Sequence, residues 1–173
     1  MTNTNKKLHN IELILSVHKH ATPLAVLLVG MGVILSPLEA RLRYVTIGLL
    51  VLSTLLNLLV VERVKRGGLN SLLIQMRMAV NFGTNCILVY ILGWHWEPVW
   101  LLLLLTPLAT AIYGNKKETV FAAVGAAAEL LAINGVRWVR APVPWGNQLV
   151  YAAAILLLSL MIHEVSQLKK ASG

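Results

Sequence analysis

The sequence predicts an all-α membrane protein: a polytopic bundle of about six transmembrane helices, preceded by an N-terminal amphipathic helix at the interface. Three observations lead there. Of 173 residues, 57% are hydrophobic and only 13% charged, against roughly 25% charged in an ordinary soluble domain. The apolar residues come in runs: Leu49–Val61 has only Ser53, Thr54 and Asn57 as polar members, and Val99–Leu105 has none. Such continuous apolarity calls for hydrocarbon around the helix, because a helix facing water keeps a polar side. The basic residues, finally, cluster in short groups between these runs.

Residues 1–21 come first. Within them Lys6–His20 sets Leu8, Ile11, Leu15 and Val17 against Lys7, His18 and Lys19, a helix too polar to cross that suits the cytoplasmic membrane face. Lys6 and Lys7 ahead of Pro23–Leu35 resemble the start of a signal peptide, but no small-residue cleavage pattern follows, so the segment is expected to be a retained helix. The membrane domain is expected over 22–163. Its apolar segments are Thr22–Leu38, Tyr44–Val61, Ser71–Leu92, Val99–Tyr113, Val120–Val139 and Leu149–His163. A crossing takes about 20 residues and at least about 17. Segments one, four and six are short by that measure, so they need local thinning or interfacial anchors such as Trp94, Trp96 and Trp145; a re-entrant segment is the alternative. Residues 164–173 continue the last helix into the cytoplasm, where Leu157, Leu160, Glu164, Gln167 and Leu168 have the spacing that could begin a dimeric coiled coil.

The formal charge of +8 orients the bundle. With the N-terminus inside, Lys6, Lys7, Lys19, Arg63, Lys65, Arg66, Lys116, Lys117, Lys169 and Lys170 are cytoplasmic, and only Arg41, Arg43, Arg137 and Arg140 lie outside. This bias puts both termini in the cytoplasm of a multi-pass protein of the inner (plasma) membrane. The turns around Trp94–Trp100 and Pro142–Trp145 then face outward. No aromatic-and-basic stripe or long basic arm supports a nucleic-acid partner.

Ionisable groups within a span are costly and are functional candidates for that reason. Arg77 lies roughly 10 Å and Glu129 roughly 15 Å inside the cytoplasmic ends of their segments at 1.5 Å per residue, within reach of an ion pair; alternatively Arg77 snorkels to the headgroups. Arg77, Asn81 and Asn85 recur every four residues on one stripe, Ser53 and Asn57 share a face, and so do Thr106 and Thr110. Lipid offers such side chains no partner, so they are expected to turn inward. They then either hold helices together or line a polar cavity. The candidate ligand-binding residues are Asn57, Arg77, Asn81, Asn85, Thr106, Thr110 and Glu129. Ala122, Ala123, Gly125, Ala126, Ala127 and Ala128 mark a helix that packs closely on a neighbour.

Other chemistry is poorly provided for. Cys86 is the single cysteine and is expected to be a packed thiol. The histidines are scattered, with His163 beside Glu164 expected at the solvated interface, and no His-Glu-x-x-His helix occurs. All seven acids are glutamates, and there is no Gly-x-Ser-x-Gly elbow or phosphate-binding glycine loop. No catalytic residue, metal or cofactor is expected within the chain.

The stretch Gly93–Ile133 runs from a tryptophan-rich outer turn through an apolar helix and a basic turn to Glu118-Thr-Val-Phe-Ala-Ala-Val-Gly-Ala-Ala-Ala. With the amphipathic start and the cytoplasmic exit helix, this layout is similar to the six-helix input domains of bacterial receptor histidine kinases, including quorum-sensing receptors. It also resembles the membrane anchors of class III adenylyl cyclases. The resemblance implies a sensory input domain that passes a small apolar ligand or membrane cue to a cytoplasmic output domain, as a homodimer acting through its sixth helix. A small transporter, or a membrane subunit of a transport complex, is the competing expectation, and a packing scaffold a third.

Overall fold

The computed structural model describes residues 22–65 and 71–171, with side chains described throughout except at 64–65, 71–78, 113 and 169–171. The expected amphipathic helix over 1–21 lies outside the described residues. Within them the chain is all-helical: α1 (Thr22–Leu35), α2 (Ala40–Lys65), α3 (Ser71–Leu92), a 3-10 turn (Glu97–Trp100), α4 (Leu101–Tyr113), α5 (Lys116–Trp138) and α6 (Trp145–Ala171). The chain forms two compact units, Met1–Val99 and Trp100–Gly173.

Three of these helices are long and apolar enough to cross a membrane: Ala40–Arg63, Lys116–Trp138 and Trp145–Leu168, of 24, 23 and 24 residues. At 1.5 Å per residue each spans about 35 Å, enough for a hydrocarbon core of about 30 Å. The number is three among the described residues, not six. Thr22–Leu35, Ala79–Leu92 and Glu97–Ile112 are apolar but shorter. The 13 residues of α4 reach only about 20 Å, and Pro107 inside it removes one backbone donor, a defect membrane helices tolerate when neighbours cover it.

The distribution of side chains is that of a membrane-like bundle. Ile34, Leu59, Phe121, Leu157, Met161 and Val165 are exposed, whereas Thr46, Asn57, Thr119, Asn134, Gln148, Ser159 and His163 are buried. In water this pattern would waste apolar surface and desolvate polar groups; in hydrocarbon both placements are favourable.

In the first unit α2 packs on α3. Gly32 of α1 lies so close to Trp96 that a Cβ there would sit 2.8 Å from the indole Cε3, so the absence of a side chain lets the ring seat on the helix. In the second unit α4, α5 and α6 all pack on one another. Ala123, Ala126 and Ala127 of α5 are buried, and their small side chains allow close backbone approach. The start of α5 is set by a capping box: the Asn115 side chain accepts from the Glu118 amide at 2.9 Å, and the Glu118 carboxylate accepts from the Asn115 amide at 2.9 Å. Gly114 makes this turn possible, since a Cβ would lie 2.7 Å from the Thr110 carbonyl and 2.8 Å from the Glu118 carboxylate.

Candidate functional site: the polar joints between helices

Of the predicted site residues, Asn57 and Asn81 are joined directly. Asn57 Nδ2 donates to Asn81 Oδ1 at 2.9 Å, and Asn81 Nδ2 donates back to Asn57 Oδ1 at 3.0 Å. Ser53 adds its hydroxyl to Asn81 Oδ1 at 3.2 Å. The two amides thus satisfy each other across the α2–α3 contact, the arrangement that makes a buried amide cheapest in an apolar setting. Asn85 follows one turn later on α3 and is half-buried. The side chain of Arg77, and with it the expected ion pair to Glu129, lies outside the described residues. Thr106, Thr110 and Glu129 belong to the second unit. Thr110 is buried and spends its hydroxyl proton on the Thr106 carbonyl of its own helix at 2.9 Å. Glu129 is buried in α5.

The second unit contains two further polar clusters, and both involve α6. Its buried face runs through Gln148, Ala152, Ile155, Ser159 and His163, at spacings of four, three, four and four that keep all five on one side of a helix. Polar residues stand at both ends of this seam. Gln148 and His163 are 15 residues apart, or about 22 Å along the helix.

At the Trp145 end lies an amide joint. Asn134 Nδ2 donates to Gln148 Oε1 at 2.9 Å and to the Leu130 carbonyl at 2.8 Å, while Asn134 Oδ1 accepts from Arg137 Nη1 at 3.0 Å. Asn134 and Gln148 are deeply buried, and Arg137 is only 9% exposed. Aromatic pairs flank it: Trp138 meets Trp145 edge to face at 6.4 Å, and Trp100 stacks on Tyr151 at 4.8 Å. Arg137, expected in an outer loop, is therefore an interior residue of the last turn of α5, because its position three residues after Asn134 places it on the same buried face.

At the α4–α5 turn lies a histidine joint. The Ala111 carbonyl is among the last four of α4, which have no partner within the helix. It instead accepts from α6: His163 Nδ1 is 3.2 Å away and the Ser166 hydroxyl 3.1 Å. Thr119 Oγ1, which donates to the Asn115 carbonyl at 3.0 Å, lies 3.4 Å from the same His163 nitrogen. A carbonyl can only accept, and this hydroxyl has placed its hydrogen elsewhere, so both contacts fit the Nδ1–H tautomer. Outside this buried core, Lys116 Nζ meets Glu164 Oε1 at 2.9 Å, with the two side chains 68% and 59% exposed. His163 itself is 4% exposed. The expectation of a solvated histidine is corrected here: only its neighbour Glu164 faces outward, since successive residues on a helix point about 100° apart.

Among the described residues no group of three or more His, Cys, Asp or Glu is placed to hold a metal ion. Cys86 is half-buried in α3. No protein-family model, curated protein or solved structure matches this chain.

Proposed function

We propose that this chain is a multi-pass membrane relay domain, with six helices traversing the bilayer, both termini in the cytoplasm and α6 as the output element. The observation that carries this reading is the build of α6. It is one unbroken helix of 27 residues, fastened to its neighbours by polar joints at two levels and continuing past the second joint to Ala171. A displacement sensed among α4 and α5 has a stiff lever to act on, and its far end emerges beside the basic turn at Lys116 and Lys117. The shorter helices cross where the bilayer thins or the interfacial tryptophans anchor them. Interior placement of Arg137 leaves Arg41, Arg43 and Arg140 as the outer basic residues, which strengthens the positive-inside bias. The cue is a small apolar ligand or a change in the membrane, and the acting form is a homodimer meeting through the outer face of α6.

Two measurements test this. With Cys86→Ser as background, single cysteines replacing Glu97 and Pro142 should react with an impermeant maleimide in intact cells, and one replacing Lys117 only after permeabilisation; the opposite pattern ends the topology. A cyclase reporter fused after Gly173 should change output several-fold on His163→Leu, and stay level on Val124→Leu at the exposed face of α5. Equal outputs would leave α6 without a relay role.

A second reading, transport, draws support from Glu129, a buried carboxylate within a candidate span, and from the proline-interrupted α4. Proteoliposomes carrying an internal pH dye decide it: the relay domain leaves an imposed proton gradient intact, whereas a proton-coupled carrier collapses it.

A further inference from the structure

The two ends of α6 are fastened differently, and the difference has a direction. The amide joint is neutral where it meets α6, deeply buried and flanked by aromatic pairs. Neither salt nor water competes readily for an amide–amide bond in such a place. The histidine joint rests on one helix-end carbonyl shared by two donors, at 3.2 and 3.1 Å, and on an ion pair whose partners are 68% and 59% exposed. Ala111, Thr119 and His163 are buried too, so the exposed ion pair is the part of this joint that the medium reaches, and salt screens it.

We infer that α6 is a hinged lever: the Asn134–Gln148 bond is its pivot, and the cluster of Ala111, Thr119, His163 and Ser166 with the Lys116–Glu164 pair is a releasable clasp. Opening the clasp swings the Glu164 end of α6 away from the α4–α5 turn while the Trp145 end stays in place. The charged groups nearest the clasp in sequence are Lys116, Lys117 and Glu118 on α5 and Glu164 on α6, with Glu129 and Arg137 further along α5 and Lys169 and Lys170 further along α6; the turn residue Gly114 and the carbonyl of Ala111 contribute none. The clasp is therefore an ionic and hydrogen-bonded closure whose strength depends on the medium at that end. A tilt of about 15° on an arm of about 22 Å moves the clasp end by about 6 Å, more than a packed interface absorbs without changing partners. The seam between pivot and clasp has small or short members, Ala152 and Ser159, with Ser159 bonded to the Ile155 carbonyl of its own helix at 2.6 Å. No cross-helix polar bond to that serine has to break. The lever deepens the relay reading and gives that relay its moving part, but the movement is measurable whether or not anything is relayed.

The test is a pair of distances in the full chain, carrying Cys86→Ser, reconstituted in lipid nanodiscs. Spin labels on cysteines replacing Lys117 and Gln167 report the clasp end, and labels replacing Val139 and Leu149 report the pivot end. The native chain should give one main distance for each pair. In the variant His163→Leu/Ser166→Ala the clasp-end pair should gain a second population about 6 Å longer, and the pivot-end pair should not change. In His163→Asn, which returns a donor near the Nδ1 position, the single distance should come back. An unchanged clasp-end distance in the folded double variant, an equal change at both ends, or failure of the asparagine to restore the closed form would each overturn the lever. Should the double variant not fold, the native chain decides: raising KCl from about 50 to about 500 mM should about double any open fraction, and invariance rejects the clasp. A silent reporter with moving distances would sink the relay and leave the lever standing; a responding reporter with fixed distances would do the reverse.

Discussion

The two joints of α6 solve the same problem, a polar side chain on an apolar helix, by opposite means. At the Trp145 end, Asn134 Nδ2 donates to Gln148 Oε1 and Asn134 Oδ1 accepts from Arg137, so the bonds that leave α5's own backbone aside are between side chains that share the interior. At the other end His163 and Ser166 satisfy a carbonyl left over by the ending of α4, and the arrangement exists only because that helix stops there. A closed set of side-chain partners has no alternative to its bonds except a desolvated void. The histidine joint is buried as well, but the Lys116–Glu164 pair beside it is exposed and open to ions and water. The first kind of joint is costly to break by mutation and indifferent to the medium; the second is forgiving of mutation and responsive to it.

The largest effect is therefore expected at the amide joint. Asn134→Leu deprives Gln148 Oε1 of its donor and takes the Asn134 acceptor from Arg137, leaving buried polar atoms whose desolvation is no longer offset. Each such atom costs about 1–3 kcal/mol, so the variant should lose about 3 kcal/mol. Reversible unfolding in mixed detergent micelles measures this, and a loss below 1 kcal/mol would mean the joint is wetter than its burial implies.

Gly114→Ala tests how the other joint is aimed. An added methyl meets the Thr110 carbonyl and the Glu118 carboxylate, so either the capping box opens or the turn shifts, at a cost of about 1–2 kcal/mol by analogy with the loss of an N-cap. His163→Leu should cost less, about 1 kcal/mol, because Ala111 keeps the Ser166 bond and is not left bare. Asymmetry between Asn134→Leu and His163→Leu in the same assay is the sharpest check on the comparison; equal losses would erase it. In the first unit, where Asn57 and Asn81 form a closed pair of the amide kind, a double-mutant cycle to alanine should give a coupling of about 0.6–1 kcal/mol.

How legible all this was in the sequence follows from the kinds of signal involved. Apolar runs locate all six α-helices among the described residues, since the runs are set by the solvent and need no knowledge of neighbours. Ends were less legible. Hydropathy starts the fifth segment at Val120, whereas α5 starts at Lys116, where Asn115-x-x-Glu118 carries a capping signature that hydropathy ignores. It starts the sixth at Leu149, one residue past Gln148, and so assigns a buried amide to a turn. Inward-turning polar stripes were visible by period alone, and Ser53, Asn57 and Asn81 do meet across α2 and α3. Of the residues holding α6 in place, Asn134 draws no notice in the sequence, and Arg137 and His163 look like an outer-loop cation and a solvated histidine, for a physical reason. Asn134 and Arg137 sit near the end of α5 and His163 at the end of the sixth apolar run, where charge and polarity are ordinary, and only the burial of those helix faces makes them unusual. The recurrence Gln148, Ala152, Ile155, Ser159, His163 was the available signal. It mixes polar with apolar members, and a hydropathy reading divides such a seam where a packing reading joins it.

The smallest expected effect is also the one that separates the joints most cleanly. Exposed ion pairs contribute little and are screened as ionic strength rises, so adding KCl from about 50 to about 500 mM should speed amide hydrogen exchange at Lys116–Thr119 by no more than about twofold. The amides of Asn134–Arg137 should not respond, because their joint to α6 is a bond between neutral amides and lies beyond the reach of bulk ions. Lys116→Gln should abolish the salt response at the α4–α5 turn, since the screened partner is gone. Salt-dependent exchange at both ends, or at neither, would show that the medium does not distinguish them, and the contrast between a closed amide joint and a yielding histidine joint would have no physical basis.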